Sequence, residues 1–218
     1  MILFDLDGTL LDTAPDLGLA LNMQRERHGL PPLPQSVIRP YASHGTKGLL
    51  SVGFSLTSQH VNFGDMREEY LAIYDQVMTQ SPILFDGMQE LLAGIENRGL
   101  RWGIVTNKPR RFTEPILKKI QLDNRAACVV CGDDMLRAKP HPDTLLQACK
   151  LTSTQVGECI YVGDAERDIQ AGKAAGMCTV VSMYGYIDTT DKPHEWGADY
   201  AIHHPAELLE LLDKLYFS

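Results

Sequence analysis

The chain has 218 residues, 44% of them hydrophobic, which is enough to bury one large domain or a core with a smaller companion. Its 28 acidic residues outnumber its 20 Lys and Arg residues, and no basic stripe suggests a nucleic-acid partner. No apolar stretch approaches the ~20 residues that span a bilayer, and no leader pattern opens the chain, so a cytoplasmic protein that binds neither nucleic acid nor membrane is predicted.

The first predicted element is a short buried strand, MILF at 1–4, which leads into Asp5 and Asp7. The next 70 or so residues contain four helical patterns and no convincing strand, at 15–27, 35–42, 46–54 and 65–78. Such a block after a first strand predicts an inserted all-helical cap over 13–84. The core domain would then comprise 1–12 and 85–218.

Five further apolar runs follow, namely WGIVT at 102–106, AACVVC at 126–131, CIYVG at 159–163, CTVVSM at 178–183 and DYAI at 199–202. Continuous rather than alternating runs are typical of strands buried on both faces of a parallel sheet. Helical patterns lie between the runs, at 87–97 with a cap at Asp86, at 112–120 and at 168–175. The alternation predicts an α/β fold with a Rossmann-like, doubly wound parallel sheet.

The five cysteines lie in apolar or helical surroundings, which predicts reduced thiols that fill the core. Cys128 and Cys131 form a CxxC pair, but they flank a predicted buried strand. Residues three apart on a strand point to opposite faces, so these two thiols are not expected to share a metal.

Polar residues follow the predicted strands where the chain leaves the sheet. Ligands of open parallel sheets bind outside the carboxyl ends of the strands, so these residues define the predicted site. Its acidic members are Asp5, Asp7, Asp164 and Asp168. Gathered in one cleft, these carboxylates would repel one another unless a cation neutralised them, and an all-oxygen site that keeps water favours Mg²⁺.

A second set of residues at the same edge supplies hydrogen-bond donors and one positive charge. Thr106 and Asn107 follow WGIV at 102–105, and Lys139 precedes a helical segment. The turn after the acidic pair offers the backbone amides of Gly8 and Thr9. Donors, a lysine and a dication together suit a phosphoryl group, whose charge is spread over several oxygens.

Four segments, DLDGTLLDT, VTNKP, AKPHPD and GDAERD, resemble in order the four motifs of the haloacid dehalogenase superfamily of phosphohydrolases. The helical block resembles the cap of the phosphoglycolate phosphatase branch. Segments such as LFDGM and MYGYI are similar to bacterial members of that branch, including a group that acts on N-acetylmuramic acid 6-phosphate.

The resemblance implies that Asp5 is the nucleophile that forms an aspartyl phosphate. It implies that Asp7 protonates the leaving oxygen and then activates water, while Thr106 and Lys139 hold the phosphoryl oxygens. Mg²⁺ would be bound by Asp5, Asp164 and the backbone carbonyl of Asp7, with Asp168 supporting the metal or Lys139.

Selection of the leaving group is expected from the cap, where the polar cluster Arg39, Ser43, His44 and Lys47 is the candidate to reach over the crevice. The expected partner is a small phosphorylated metabolite, either phosphoglycolate or a phosphosugar, and the expected state is a monomer or homodimer.

Three other functions share parts of this pattern. A dehalogenase would not need Asp7 or Asp164, and a receiver-like phosphoacceptor would not need a cap. A phosphomutase would share all four motifs, and only phosphate release without a bisphosphate activator separates it from a phosphatase.

Overall fold

The structure is a computed structural model, and residues 1–216 of the chain are described. The strands in chain order are β1 (Ile2–Phe4), β2 (Leu11–Asp12), β3 (Ile83–Leu84), β4 (Trp102–Val105), β5 (Val129–Val130), β6 (Ile160–Gly163), β7 (Cys178–Ser182) and β8 (Tyr200–Ile202). The α-helices are α1 (Ala14–Arg27), α2 (Gln35–Ile38), α3 (Gly45–Phe54), α4 (Phe63–Val77), α5 (Met88–Asn97), α6 (Arg110–Lys119), α7 (Asp143–Thr152), α8 (Glu166–Ala175) and α9 (Ala206–Tyr216).

Six of the strands form one parallel sheet in the order β5-β4-β1-β6-β7-β8, which confirms the predicted fold class. Ile2, Leu3 and Phe4 of β1 are fully buried, because helices cover both faces of the sheet. The chain runs from β1 outward to β4 and β5 and then returns to β6 on the other side of β1. This reversal makes the carboxyl end of β1 the switch point of the sheet, where a crevice is expected.

The predicted helices are present with shifted ends, and two details were wrong. The predicted cap of α5 at Asp86 is instead Gly87, which has a φ of 75° that favours glycine; the Asp86 side chain is fully exposed. The helix predicted over 35–42 divides into α2 and a 3-10 turn at Arg39–His44. Pro40 accounts for the division, because it has no N–H to continue the α-helical hydrogen bonding.

Four helices, α1 to α4, lie between β2 and β3, and they pack around a shared apolar centre that includes Leu21, Leu49, Tyr70 and Ile73. Where the chain enters and leaves this block, β2 and β3 pair antiparallel, with Leu11 opposite Leu84 and Asp12 opposite Ile83. Sequence patterns did not predict this ribbon, since two residues per strand are too few to show a period.

All five cysteines are free, as predicted, and four of them are buried. Burial raises the pKa of the Cys128 and Cys131 thiols to about 11, so both are protonated at neutral pH. Between residues 1 and 216, no helix has both the length and the apolar character needed to cross a bilayer.

Candidate active site

The carboxyl ends of the three central strands bring the predicted residues together. β1 is paired with β4 on one side and β6 on the other, so Asp5, Thr106 and Asp164 leave the sheet next to one another. Asp5 N donates to Val162 O at 2.9 Å, which holds the start of the turn against β6. The three residues are at most 3% exposed. The sheet register therefore creates a buried polar cluster, as expected for a switch point.

Lys139 supplies the buried cation of this cluster. Its Nζ lies 2.9 Å from Asp5 Oδ1 and 2.7 Å from Asp168 Oδ1, and it donates to Val105 O and to the Tyr161 hydroxyl. The side chain is completely enclosed. Such a cation is tolerated in the interior because carboxylates and neutral acceptors surround it on several sides.

Asn107 holds the Lys139 backbone rather than pointing a free amide at the cavity. Its Nδ2 donates to Lys139 O at 2.9 Å, and Lys139 N donates to its Oδ1 at 3.0 Å. Asn107 lines the cavity, but in this structure its amide group positions the lysine.

Three carboxylates, Asp5, Asp164 and Asp168, form a group whose ligand oxygens all lie within 4.8 Å of one another. Burial, and then the charges of Asp168 and Asp5, raise the pKa of Asp164 to about 7. Burial also raises the pKa of Asp5, although the Lys139 ammonium acts in the opposite direction. The site therefore has an excess of negative charge, and the Lys139 ammonium only partly offsets the repulsion among its carboxylates.

This donor set fits a hard divalent cation. Every candidate ligand atom is an oxygen, and Asp5 Oδ1 has no hydrogen-bond partner within residues 1–216 other than the Lys139 ammonium at 2.9 Å. Both oxygens of Asp168 have close partners, because its Oδ1 faces Lys139 while its Oδ2 accepts the Ala165 N–H at the start of α8. Asp164 Oδ2 accepts from Ser43 and Tyr186, but its Oδ1 has only a long contact of 3.5 Å with a hydroxyl. Asp5 and Asp164 are the better candidates for direct contact with a metal.

Asp7 lies on the cavity wall, outside that carboxylate group. Its Oδ1 accepts hydrogen bonds from Thr13 Oγ1 and from Lys108 Nζ, the latter at 2.9 Å. The Lys108 ammonium also lies 4.8 Å from the centre of the Tyr74 ring, which comes from α4. Sequence reasoning missed Lys108, although it directly follows Asn107 in the VTNKP motif.

The turn after Asp7 brings the backbone close to the carboxylates. Gly8 has a φ of 85°, and a Cβ at this position would lie 2.0 Å from Asp164 Oδ2, so only glycine fits. The amides of Gly8 and Thr9 donate to Leu11 O and Leu6 O. This contradicts the expectation of free amides, because a tight turn uses its own N–H groups. Thr9 instead contributes its hydroxyl, which lies 3.5 Å from Asp164 Oδ1.

A cavity of about 380 Å³ separates this cluster from the helical block. Its floor is formed by core residues that include Asp5, Asp7, Thr106 and Lys108, and Arg167 of α8 also lines it. From the helical block come Ser43, His44, Lys47, Arg67, Tyr70 and Tyr74. Ser43 reaches furthest, because its Oγ donates to Asp164 Oδ2 at 2.7 Å.

Arg39 is the one member of the predicted cap cluster that does not line the cavity. Its guanidinium binds both carboxylate oxygens of Asp12 at 2.8 Å and stacks 4.9 Å above the Tyr186 ring. This contact joins the helical block to β2. The structure thus gives Arg39 a structural contact instead of the predicted substrate contact.

Comparison with known proteins is consistent with this geometry. The sequence profile described as haloacid dehalogenase-like hydrolase matches residues 2–182. The chain is 41% identical to the N-acetylmuramic acid 6-phosphate phosphatase of Pseudomonas aeruginosa, over 98% of this chain and 94% of that protein. It is 38% identical to the phosphoglycolate phosphatase of Xanthomonas campestris, over 96% and 94% of the two chains.

Solved structures agree on the fold. A hydrolase from Pseudomonas syringae superposes with a TM-score of 0.75 at 26% identity, covering 98% of both chains. A haloacid dehalogenase-like family hydrolase from Streptococcus pneumoniae gives a TM-score of 0.83 at 21% identity over 97% of both chains, which supports the fold alone. The chain belongs to the haloacid dehalogenase-like hydrolase family. Within that family its curated relatives place it among the phosphatases.

Proposed function

We propose that this enzyme hydrolyses a small phosphosugar with the help of Mg²⁺, through a phosphoryl intermediate on Asp5. The observation that supports this most directly is the cluster at the end of β1. There a buried carboxylate, Asp5, faces the cavity beside a buried ammonium and two further carboxylates, Asp164 and Asp168. A nucleophile, a cation and an all-oxygen metal site are the components that phosphoryl transfer requires.

Asp5, Asp164 and the backbone carbonyl of Asp7 would hold the metal, with Asp168 supporting both the site and Lys139. Bound Mg²⁺ would neutralise negative charge where an anionic nucleophile meets an anionic phosphoryl group. Ser43 Oγ donates a hydrogen bond to Asp164 Oδ2, and this bond links the metal site to the helical block.

The protein's own side chains account for the remaining chemistry. Asp5 Oδ attacks phosphorus as the ester P–O bond breaks, and the leaving oxygen takes a proton from Asp7. Asp7 then takes a proton from the water that hydrolyses the aspartyl phosphate. Thr106, which lines the cavity, contacts a phosphoryl oxygen directly. Lys139 is enclosed behind Asp5, 2.9 Å from its Oδ1, and its charge stabilises the phosphoryl group from there.

The cavity supports a sugar phosphate over a two-carbon acid. Its volume of about 380 Å³ lies in the ~300–1,000 Å³ range of sites for drug-sized ligands, whereas phosphoglycolate would leave much of it to water. Tyr70 and Tyr74 form a stacked aromatic wall. Lys47 and Arg67, which line the cavity from the helical block, add positive charge. An aromatic face suits a sugar ring, and the cations suit a second anionic group, so we favour N-acetylmuramic acid 6-phosphate.

The Tyr74 hydroxyl adds a polar group to this wall. It is buried and has no hydrogen-bond partner in the described part of the chain. Burial raises the pKa of Tyr74 well above its ordinary value, so the hydroxyl keeps its proton and can donate. A substrate hydroxyl or amide carbonyl would satisfy it.

We further propose that residues 13–84 move as a cap on a core formed by 1–12 and 85–218, about the β2–β3 ribbon. The Ser43–Asp164 and Lys108–Tyr74 contacts are two of the links that opening would break. Buried free thiols fit a reducing compartment, so we place the enzyme in the cytoplasm. We propose that the enzyme acts as a monomer or a homodimer.

Phosphate release tests the proposal. Purified enzyme is assayed with N-acetylmuramic acid 6-phosphate, phosphoglycolate and p-nitrophenyl phosphate, with Mg²⁺ or with a chelator, and without any bisphosphate. We expect Mg²⁺-dependent release that is fastest for the sugar phosphate and absent in Asp5→Asn. Normal turnover by Asp5→Asn would disprove the nucleophile assignment. A requirement for a bisphosphate activator would favour a phosphomutase.

A further inference from the structure

The two oxygens of the Asp7 carboxylate have different environments. Oδ1 accepts hydrogen bonds from both Thr13 Oγ1 and Lys108 Nζ. Oδ2 receives no hydrogen bond from any residue within 1–216, and Asp7 lines the cavity. A carboxyl group held by two donors on one oxygen can rotate little, so its other oxygen has a fixed direction.

Lys108 is itself held firmly. Its N–H donates to Thr106 Oγ1 at 3.1 Å, and its carbonyl accepts the Gly132 N–H at 3.2 Å. Its ammonium is fixed between the Asp7 carboxylate and the face of the Tyr74 ring. Only 9% of the residue is exposed, so water competes little for these contacts.

We propose that Lys108 is the positioning residue of the acid step, which together with Thr13 holds Asp7 so that Oδ2 carries the proton to the leaving oxygen. The inference rests on the proposed phosphatase function. In the step concerned, the bond from Asp5 to phosphorus forms, the ester P–O bond breaks, and the proton on Asp7 Oδ2 passes to the departing alkoxide. Lys108 does not exchange a proton in this step.

Leaving-group chemistry distinguishes this role from a general contact with phosphate. A sugar alkoxide is a strong base that must be protonated as it departs, whereas p-nitrophenolate is weakly basic and departs without help. Misplacing Asp7 should therefore slow cleavage of the sugar ester and spare cleavage of the aryl ester. The ratio kcat/KM is the suitable measure, because it reports the first phosphoryl transfer and excludes the later hydrolysis of the intermediate.

The test compares Lys108→Met with wild type on N-acetylmuramic acid 6-phosphate and p-nitrophenyl phosphate. We expect kcat/KM to fall about 10²-fold on the sugar ester and less than about 3-fold on the aryl ester. Lys118→Met serves as the matched control, since Lys118 is exposed on α6 away from the cavity, and it should change neither value. Thr13→Val, which removes the other donor to Oδ1, should show the same asymmetry and serves if Lys108→Met fails to fold.

Equal losses on the two esters would overturn the inference, because they would indicate that Lys108 binds the phosphoryl group itself. An unchanged value on the sugar ester would also overturn it. If wild-type enzyme releases phosphate from neither ester, the proposed function fails and the inference fails with it, so the two failures are told apart by the wild-type assay.

Discussion

Magnesium should stabilise this protein, and the stabilisation should increase with pH. The perturbation is the addition of Mg²⁺ to chelator-treated enzyme. The structure holds Asp164 next to Asp5 and Asp168 in a buried site, which raises its pKa from an ordinary 3.8 to about 7. A metal that binds this cluster must compete with the proton on Asp164 below pH 7 and meets no such competition above it.

The direction follows from proton linkage. As pH rises from about 4 to about 7, the unfolded chain has lost the Asp164 proton while the folded protein keeps it, so the free energy of unfolding of the metal-free protein falls. The stabilisation conferred by protonated Asp164 is complete below the unfolded pKa and lost as pH passes the folded one. The pKa difference corresponds to about 4 kcal/mol, an upper limit for one group.

The size of the magnesium effect follows from the same pKa. At about pH 5, two pH units below the Asp164 pKa, proton competition weakens metal binding about 100-fold relative to about pH 8. At a fixed, saturating Mg²⁺ concentration, this 100-fold difference in affinity makes the stabilisation by Mg²⁺ about 3 kcal/mol larger at about pH 8 than at about pH 5. For a chain of this length, 3 kcal/mol corresponds to a Tm difference of roughly 5–10 °C.

The assay is thermal unfolding followed by circular dichroism, with Mg²⁺ or with chelator, at both pH values. Asp164→Asn should abolish the response to Mg²⁺, whereas Asp75→Asn, which alters an exposed carboxylate on α4, should retain it. An equal rise in Tm at both pH values, or no rise at either, would refute the reasoning about the charge of the cluster.

Three single substitutions test other parts of the site. Lys139→Met leaves two buried carboxylates facing each other, so urea unfolding at neutral pH should show the free energy of unfolding lowered by about 3–5 kcal/mol, and phosphate release should be abolished. A stable, active variant would contradict the assigned ion pairs. Gly8→Ala puts a methyl group 2.0 Å from Asp164 Oδ2 at a positive φ, so titration should show the affinity for Mg²⁺ weakened at least about tenfold. An unchanged Mg²⁺ affinity would argue against this close approach. Tyr74→Phe removes only a buried hydroxyl, and steady-state kinetics should show that KM rises about tenfold for the sugar phosphate and changes little for p-nitrophenyl phosphate. Equal changes in KM for both substrates would exclude a contact with the sugar.

The proposed acid step has a consequence for cap movement. Thr13 lies where the chain enters the helical block, and Tyr74 belongs to α4 of that block. Both contact the Asp7–Lys108 pair: Thr13 Oγ1 donates to the Asp7 carboxylate, and the Tyr74 ring faces the Lys108 ammonium. The environment of the general acid therefore depends on where the helical block sits, which would couple the chemical step to closure.

Local sequence was sufficient for the sheet and for the residues at its edge. Continuous apolar runs predicted all six strands, since strands buried on both faces need unbroken hydrophobic sequence. The edge strand β5 proved only two residues long, although its predicted run had six. Parallel topology then made the meeting of Asp5, Thr106 and Asp164 predictable, because residues that follow adjacent parallel strands must share one edge.

Contacts between distant segments were decided only in three dimensions. Helix α9 was not predicted as an element of the fold, and its buried Leu208 and Leu212 become part of the core only by packing against the domain. Arg39 and Ser43 are four residues apart in one polar cluster, yet one binds Asp12 and the other Asp164.

Lys108 shows the same limit at the site itself. In the sequence it is a lysine beside a proline. Only the fold brings its ammonium into hydrogen-bonding contact with Asp7 and next to the face of the Tyr74 ring. Backbone periodicity specifies which side of an element a residue occupies. The partner of a long, flexible side chain depends on which other segments arrive nearby, and that information is absent from any local stretch of sequence.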